Sequence, residues 1–164
     1  AVATQPLFVQ YVLVSSHYPF NLIPRYFDDW SVIGDGSLYA RDDAVTVVPS
    51  PPGSTTAGGA GYVAAIRYDL DLITEYVSRF LPEDDDALIV VVGDHQPYSG
   101  ITGTGKPWSV PVHIVSRDPG VLEPFRRRGY TPGWVPRQPL PHPGMEDFLP
   151  AFLSDFSGGD ARPR

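Results

Sequence analysis

The hydrophobic pattern divides the chain into strand-like runs and helical stretches. Leu7 to Ser16 reads LFVQYVLVSS, a nearly continuous apolar run rich in β-branched and aromatic residues. A strand buried on both faces has this pattern, and Pro19 ends it. From Tyr62 to Leu81 the period changes: Ile66, Leu70, Ile73, Val77 and Phe80 recur at spacings of four and three, one face of a helix. Ala87 to Val92, ALIVVV, is the clearest buried strand, and Ser109 to Ser116, SVPVHIVS, is another strand-like run. A short helix is expected over 119–128. A last amphipathic helix is expected from Met145 to Phe156, with Phe148, Phe152 and Phe156 facing the sheet. Strands that alternate with helices predict an α/β fold, a mainly parallel sheet flanked by helices.

Between these elements the chain is irregular. Asn21 to Asp29 suits a short helical turn. Glycines and prolines across 34–59 predict a long surface loop. Glu83 to Asp86 is an acidic run with the character of a solvated loop, since it lacks the alternating spacing of a calcium loop. Residues 157–164 are expected to form a disordered tail, and the 164 residues suit one domain.

Composition narrows the function. The net charge is −7, which argues against nucleic acid as a partner, because phosphate backbones need a basic face. An anionic substrate would therefore have to be held by a metal or a few local bases. The absence of cysteine excludes disulfides, thiolate metal sites and a cysteine nucleophile. No apolar run reaches the roughly 18 residues that cross a bilayer.

Two polar clusters fall at the carboxyl ends of predicted strands, where ligands bind in open α/β sheets. Ser15-Ser16-His17 follows the first strand, and Asp94-His95 follows ALIVVV. Adjacent side chains on a regular strand point apart, so Asp94 and His95 reach one ion only if the chain turns there; Gly93 and Pro97 suit such a turn. An oxygen–nitrogen donor pair fits zinc or manganese, with magnesium third. The plainer alternative is that Asp94 caps a turn and His95 is a satisfied polar residue.

The segment ALIVVVGDHQP resembles the strand-plus-Asp-His element of the sulfatase-like branch of the alkaline-phosphatase superfamily, which includes phosphoglycerol transferases and lipoteichoic-acid-synthase-like enzymes. LFVQYVLVSSHYPF resembles that branch's strand ending in His before Pro, AAIRYDLDLITEYV its intervening helix, and SVPVHIVSRD its following Val-Pro strand. DDWSVIGDGSLY is similar to a segment of membrane-anchored bacterial members. The order matches through residues 7–156.

The resemblance implies a hydrolase or transferase acting on phosphate or sulfate esters. It makes Asp94 and His95 ligands of one divalent ion, and His17 a substrate contact or acid. In that family the nucleophile and a further acidic ligand precede the first of these strands. The chain is thus expected to be the C-terminal segment of a domain, with the upstream half as its partner and inactive alone. The intact protein is expected at the extracytoplasmic face, held to the membrane only through the upstream part. A non-catalytic module that keeps the fold is the alternative.

Lys106, in the Gly-rich loop after the metal pair, and Asp35, in IGDGS, are candidate substrate contacts. Asp35 equally suits a tight turn between Gly34 and Gly36. Trp108 either packs beneath the loop or stands at its rim. His113 is a strand histidine with a lesser claim to a second metal. Arg25 and Arg67 are candidate anion contacts or plain ion-pair partners.

Overall fold

A computed structural model describes residues 7–41, 43–53, 58–81, 87–135 and 143–157. The acidic run at 83–86 and the tail from 158 lie outside these residues. The chain combines helices with two small antiparallel strand pairs and forms two compact units. The first comprises residues 1–81 and 97–106, the second 82–96 and 107–164.

In the first unit, β1 (Leu22–Pro24) pairs antiparallel with β2 (Val45–Val47) in the register Leu22↔Val47. Two further bonds extend the pairing, Arg25 N–H to Ala44 O at 2.7 Å and Val48 N–H to Asn21 O at 2.8 Å. In place of the expected helical turn over 21–29 the chain forms the strand Leu22–Pro24 and then irregular backbone, and a 3-10 turn begins only at Trp30–Ile33. The expected loop over 34–59 contains β2 and a 3-10 turn at Ser37–Ala40. Extended pairing satisfies backbone groups that a structureless loop would leave to water.

The long helix α1 spans Gly58–Phe80. Its most buried positions are Gly61, Ala65 and Asp69, spaced four apart. Ala65 is fully covered, whereas Leu70 and Phe80 are exposed. The apolar period thus located the helix but not its innermost stripe. Aromatic rings from residues 11–30 explain the difference, because they seat along α1. Phe20 meets Tyr62 at 5.4 Å, Tyr26 meets Tyr68 at 6.5 Å, and Trp30 stacks on Phe80 at 5.1 Å. Large rings need small residues opposite them for close approach. One oxygen of the Asp69 carboxylate is buried without a hydrogen-bond partner. The neighbouring Tyr68 hydroxyl has its pKa pushed well up, first by burial and then by Tyr39.

Leu7–Val14 forms no regular element and belongs to no described ladder. Phe8 is 88% exposed, and Leu7, Tyr11, Val12 and Val14 are also open. The doubly buried strand expected here is therefore an unpaired apolar segment. It ends in a turn that leads to Phe20, a buried aromatic held at φ 64°. A bulky residue in the left-handed region is uncommon and strained.

In the second unit, β3 (Ile89–Val92) pairs with β4 (Val112–Val115), Ile89↔Val115 through Val92↔Val112. This pair is antiparallel too, which corrects the parallel-sheet expectation. A parallel pair requires a crossover that carries the chain back to the starting end. The link between these strands holds only the one-turn α2 (Ser99–Thr102), which lies in the first unit, and the chain returns in the opposite sense.

Helix α3 (Pro119–Arg127) starts with Asp118 accepting the Gly120 N–H at 2.7 Å and ends in a Schellman motif. Gly129 N–H reaches Arg126 O, and Tyr130 N–H reaches Phe125 O. Gly129 takes φ 93°, the left-handed value that this cap needs, and Tyr130 packs its ring on Phe125. Helix α4 (Phe148–Phe156) docks through Arg128, whose guanidinium donates to both Asp155 oxygens at 2.9 Å. Phe156 contacts Phe125 of α3. The phenylalanine row expected on the sheet thus meets a helix, while its members stack on one another. Among the described residues, no helix is long and apolar enough to cross a membrane.

Candidate metal centre

The turn after β3 is held from both sides. Gly93 N–H donates to Pro111 O at 3.2 Å, carrying the ladder one step past the strands. The Gln96 side-chain amide then donates to Ser109 O. Between these two ties the chain bends at Asp94 and His95, so their side chains do not diverge as they would on a straight strand.

The pair converges. Asp94 Oδ1 accepts the His95 backbone N–H at 2.9 Å. Its Oδ2 lies 3.5 Å from His95 Nε2. His95 Nδ1 is 2.8 Å from Gln96 O. A carbonyl oxygen only accepts, so Nδ1 carries the proton, and in the neutral ring Nε2 presents its lone pair. Metal-ligating histidines are oriented in this way, one nitrogen tied to a carbonyl and the other at the ion. With ordinary zinc–ligand lengths near 2.1 Å, a 3.5 Å separation subtends roughly 115° at the ion, close to a tetrahedral angle. The donor set therefore fits two positions of a divalent cation. Both side chains are largely open to water, Asp94 at 89% and His95 at 69%. Among the described residues, no group of three or more His, Cys, Asp or Glu side chains surrounds a common point.

His17 belongs to the first unit and repeats the imidazole device. Its N–H closes a turn on Val14 O at 3.0 Å, and its Nδ1 lies 2.8 Å from Tyr18 O, with the ring exposed. Both histidines sit two residues before a proline, His17-Tyr18-Pro19 and His95-Gln96-Pro97. Proline biases the residue before it toward extended backbone, which favours the same carbonyl placement in each turn. Each proline is visible beside its histidine in the sequence, but that the two turns share one His-x-Pro pattern emerges from the matching ring geometry.

Asp35 is engaged in its own turn. Its Oδ1 accepts the Ser37 N–H at 3.0 Å, and that bond, with a second from the Ser37 side chain, holds its carboxyl pKa below the ordinary value. Lys106 is exposed in the loop that Gly103 and Gly105 shape with positive φ. His17, Asp35 and Lys106 all belong to the first unit, Asp94 and His95 to the second. Trp108 stands exposed rather than beneath the loop. His113 faces Val91 across the ladder and rests against Trp134, which gives it a packing partner. Arg25 pairs with Asp43 and Arg67 with Asp71, both on the surface.

Compared with known proteins, the chain matches no family model, no curated protein and no solved structure.

Proposed function

We propose that the chain supplies half of a metal centre to a hydrolase or transferase acting on phosphate or sulfate esters, of the sulfatase-like kind that its motifs resemble. The observation that carries this reading is the convergence of Asp94 Oδ2 and His95 Nε2 at 3.5 Å, with Nδ1 tied to a carbonyl. Zinc or manganese suits this donor pair, with magnesium third. When bound, such an ion lowers the pKa of an attacking group and offsets charge on the transferred group.

The residues of this chain have separate tasks. Asp94 and His95 hold their donor atoms in place through the Gly93 and Gln96 ties. In its cationic form, His17 keeps its Nδ1 contact with Tyr18 and donates from Nε2 to a leaving oxygen. The strained Phe20, three residues on, supports a functional reading of that turn. Lys106 and Asp35 are secondary candidates for substrate contact. The nucleophile and remaining ligands come from an upstream segment, and this reading assigns that segment to cover Leu7–Val14. It places the intact enzyme at the extracytoplasmic face, with its membrane anchor upstream.

Calorimetric titration with zinc and manganese tests the site in the wild type, Asp94→Ala and His95→Ala. Each substitution is expected to weaken binding by about tenfold or more, the typical worth of one ligand interaction. Unchanged binding in both variants would sink the assignment. The chain alone is expected to turn over no aryl phosphate or sulfate. Turnover that depends on Asp94 would instead place a nucleophile within these residues.

A further inference from the structure

The second unit contains a cleft of about 310 Å³ that the metal reading does not use. Its floor is Phe125, only 4% exposed. His113 and Trp134 form one wall, their ring centres 5.3 Å apart and their planes tilted by 51°. Arg126, Tyr130 and Thr131 are also among its lining residues.

Named local devices hold these groups in place. The Schellman cap sets Tyr130 over Phe125. Gly133 takes φ 101°, a value that strains any other residue, and thereby sets the direction of the chain into Trp134. Trp134 is 70% exposed, an indole kept at a surface where burial does not require it.

The charge of the cleft is the telling feature. The chain carries 19 acidic residues, yet among the described residues no Asp or Glu lines the cleft. Among the same residues Arg126, a lining cation, makes a 3.9 Å exposed contact with Glu123, a pairing too weak to occupy a guanidinium. A guanidinium offers a planar fork to a carboxylate, phosphate or sulfate. Aromatic walls over an apolar floor suit a flat ring better than a polyhydroxyl group, which would need more hydrogen-bonding partners than this lining offers.

We propose that this cleft binds a small aromatic anion, its ring between Phe125 and the His113–Trp134 pair and its charged group on Arg126. The site does not depend on Asp94 or His95, so its success or failure is separable from that of the metal centre.

The probe is phenyl phosphate, titrated into the full chain in the presence of EDTA. The readout is the indole N–H resonance of Trp134, assigned from a Trp134→Phe variant. Saturable shifts with a millimolar Kd are expected, as suits a ligand of about eleven heavy atoms. Arg126→Gln, at an exposed position, is expected to weaken binding by about tenfold, the scale of one charge-assisted hydrogen bond. Phenol and inorganic phosphate are each expected to bind more weakly, and Asp94→Ala to bind phenyl phosphate unchanged. The proposal is overturned by any of four results: no saturable shift, equal affinity in Arg126→Gln, equal affinity for methyl glucoside, or loss of binding in Asp94→Ala.

Discussion

The two His-x-Pro turns are alike in their rings and unlike in everything behind them. In each, Nδ1 lies 2.8 Å from the carbonyl of the next residue. His95 follows a carboxylate and a strand bonded along its length to β4. His17 follows two serines and an apolar segment that belongs to no described ladder. The orientation of the ring is thus a local property of three residues. What separates the converging Asp–His pair from the lone imidazole is the preceding residue, and what separates the segments that lead into the two turns is the ladder.

The largest expected effect comes from removing the support of the paired turn. Phe125, on the buried side of α3, lies against Tyr130 and Phe156. Phe125→Ala is expected to cost about 3–5 kcal/mol, the usual range for a buried phenylalanine. Amide exchange should quicken through β3, β4 and the Asp94–His95 turn, while the His17 turn keeps its exchange rates. Equal acceleration at both histidines would break the comparison.

A charge placed in the segment before each turn comes next. Val90 is half-buried in β3, whereas Val12 is 75% exposed. Val90→Lys is expected to cost about 1–3 kcal/mol by urea denaturation, and Val12→Lys to stay within about 0.5 kcal/mol. A large loss from Val12→Lys would show that the apolar segment before His17 is packed within this chain.

How much of this was legible in the sequence follows the same division. The spacing of Ile66, Leu70, Ile73, Val77 and Phe80 located α1, because periodicity is a property of one segment. It did not reveal the buried Gly61–Ala65–Asp69 stripe, because burial depends on which distant parts of the chain pack on α1. Apolar runs located β3 and β4, but their antiparallel pairing depends on the path of the chain between them. The Asp94–His95 pair was legible because a strand end and a following proline are local. The aromatic cleft was not, since His113 and Trp134 are joined only through α3 and its cap. The close spacing of Gly129, Tyr130, Gly133 and Trp134 was the available hint.

Acid should affect the second unit through Arg128 and Asp155. The hydrogen bonds from Arg128 hold the Asp155 carboxyl pKa below its ordinary value. A carboxylate depressed in the folded state adds stability that is fully present above its unfolded pKa, about 3.9. That contribution is lost as pH falls through the folded value. Asp155→Asn should therefore be less stable than wild type at neutral pH, and the gap should close below about pH 4. Thermal melts across pH 2.5–7, a range of roughly the aspartate titration, check this. A gap that stays constant through that range would remove the ion pair from the account.

The smallest effect concerns the residue that opens the Asp94–His95 turn. In the sequence Gly93 and Pro97 suit a turn at Asp94 and His95, and the bend falls there, but Gly93 is not among the glycines with positive φ. A Cβ there would meet Pro111 and Val110 atoms at 3.5 Å, ordinary contact distance. Gly93→Ala is therefore expected to change stability by no more than about 0.5 kcal/mol. It should also leave the 15N shifts of the His95 ring unchanged, since the backbone tie to Pro111 and the Gln96 amide persist. A shifted ring resonance in Gly93→Ala would mean that glycine sets the imidazole's orientation. The His17 turn has no glycine at the equivalent position, Ser15, so the shared ring geometry would then need a separate cause in each turn.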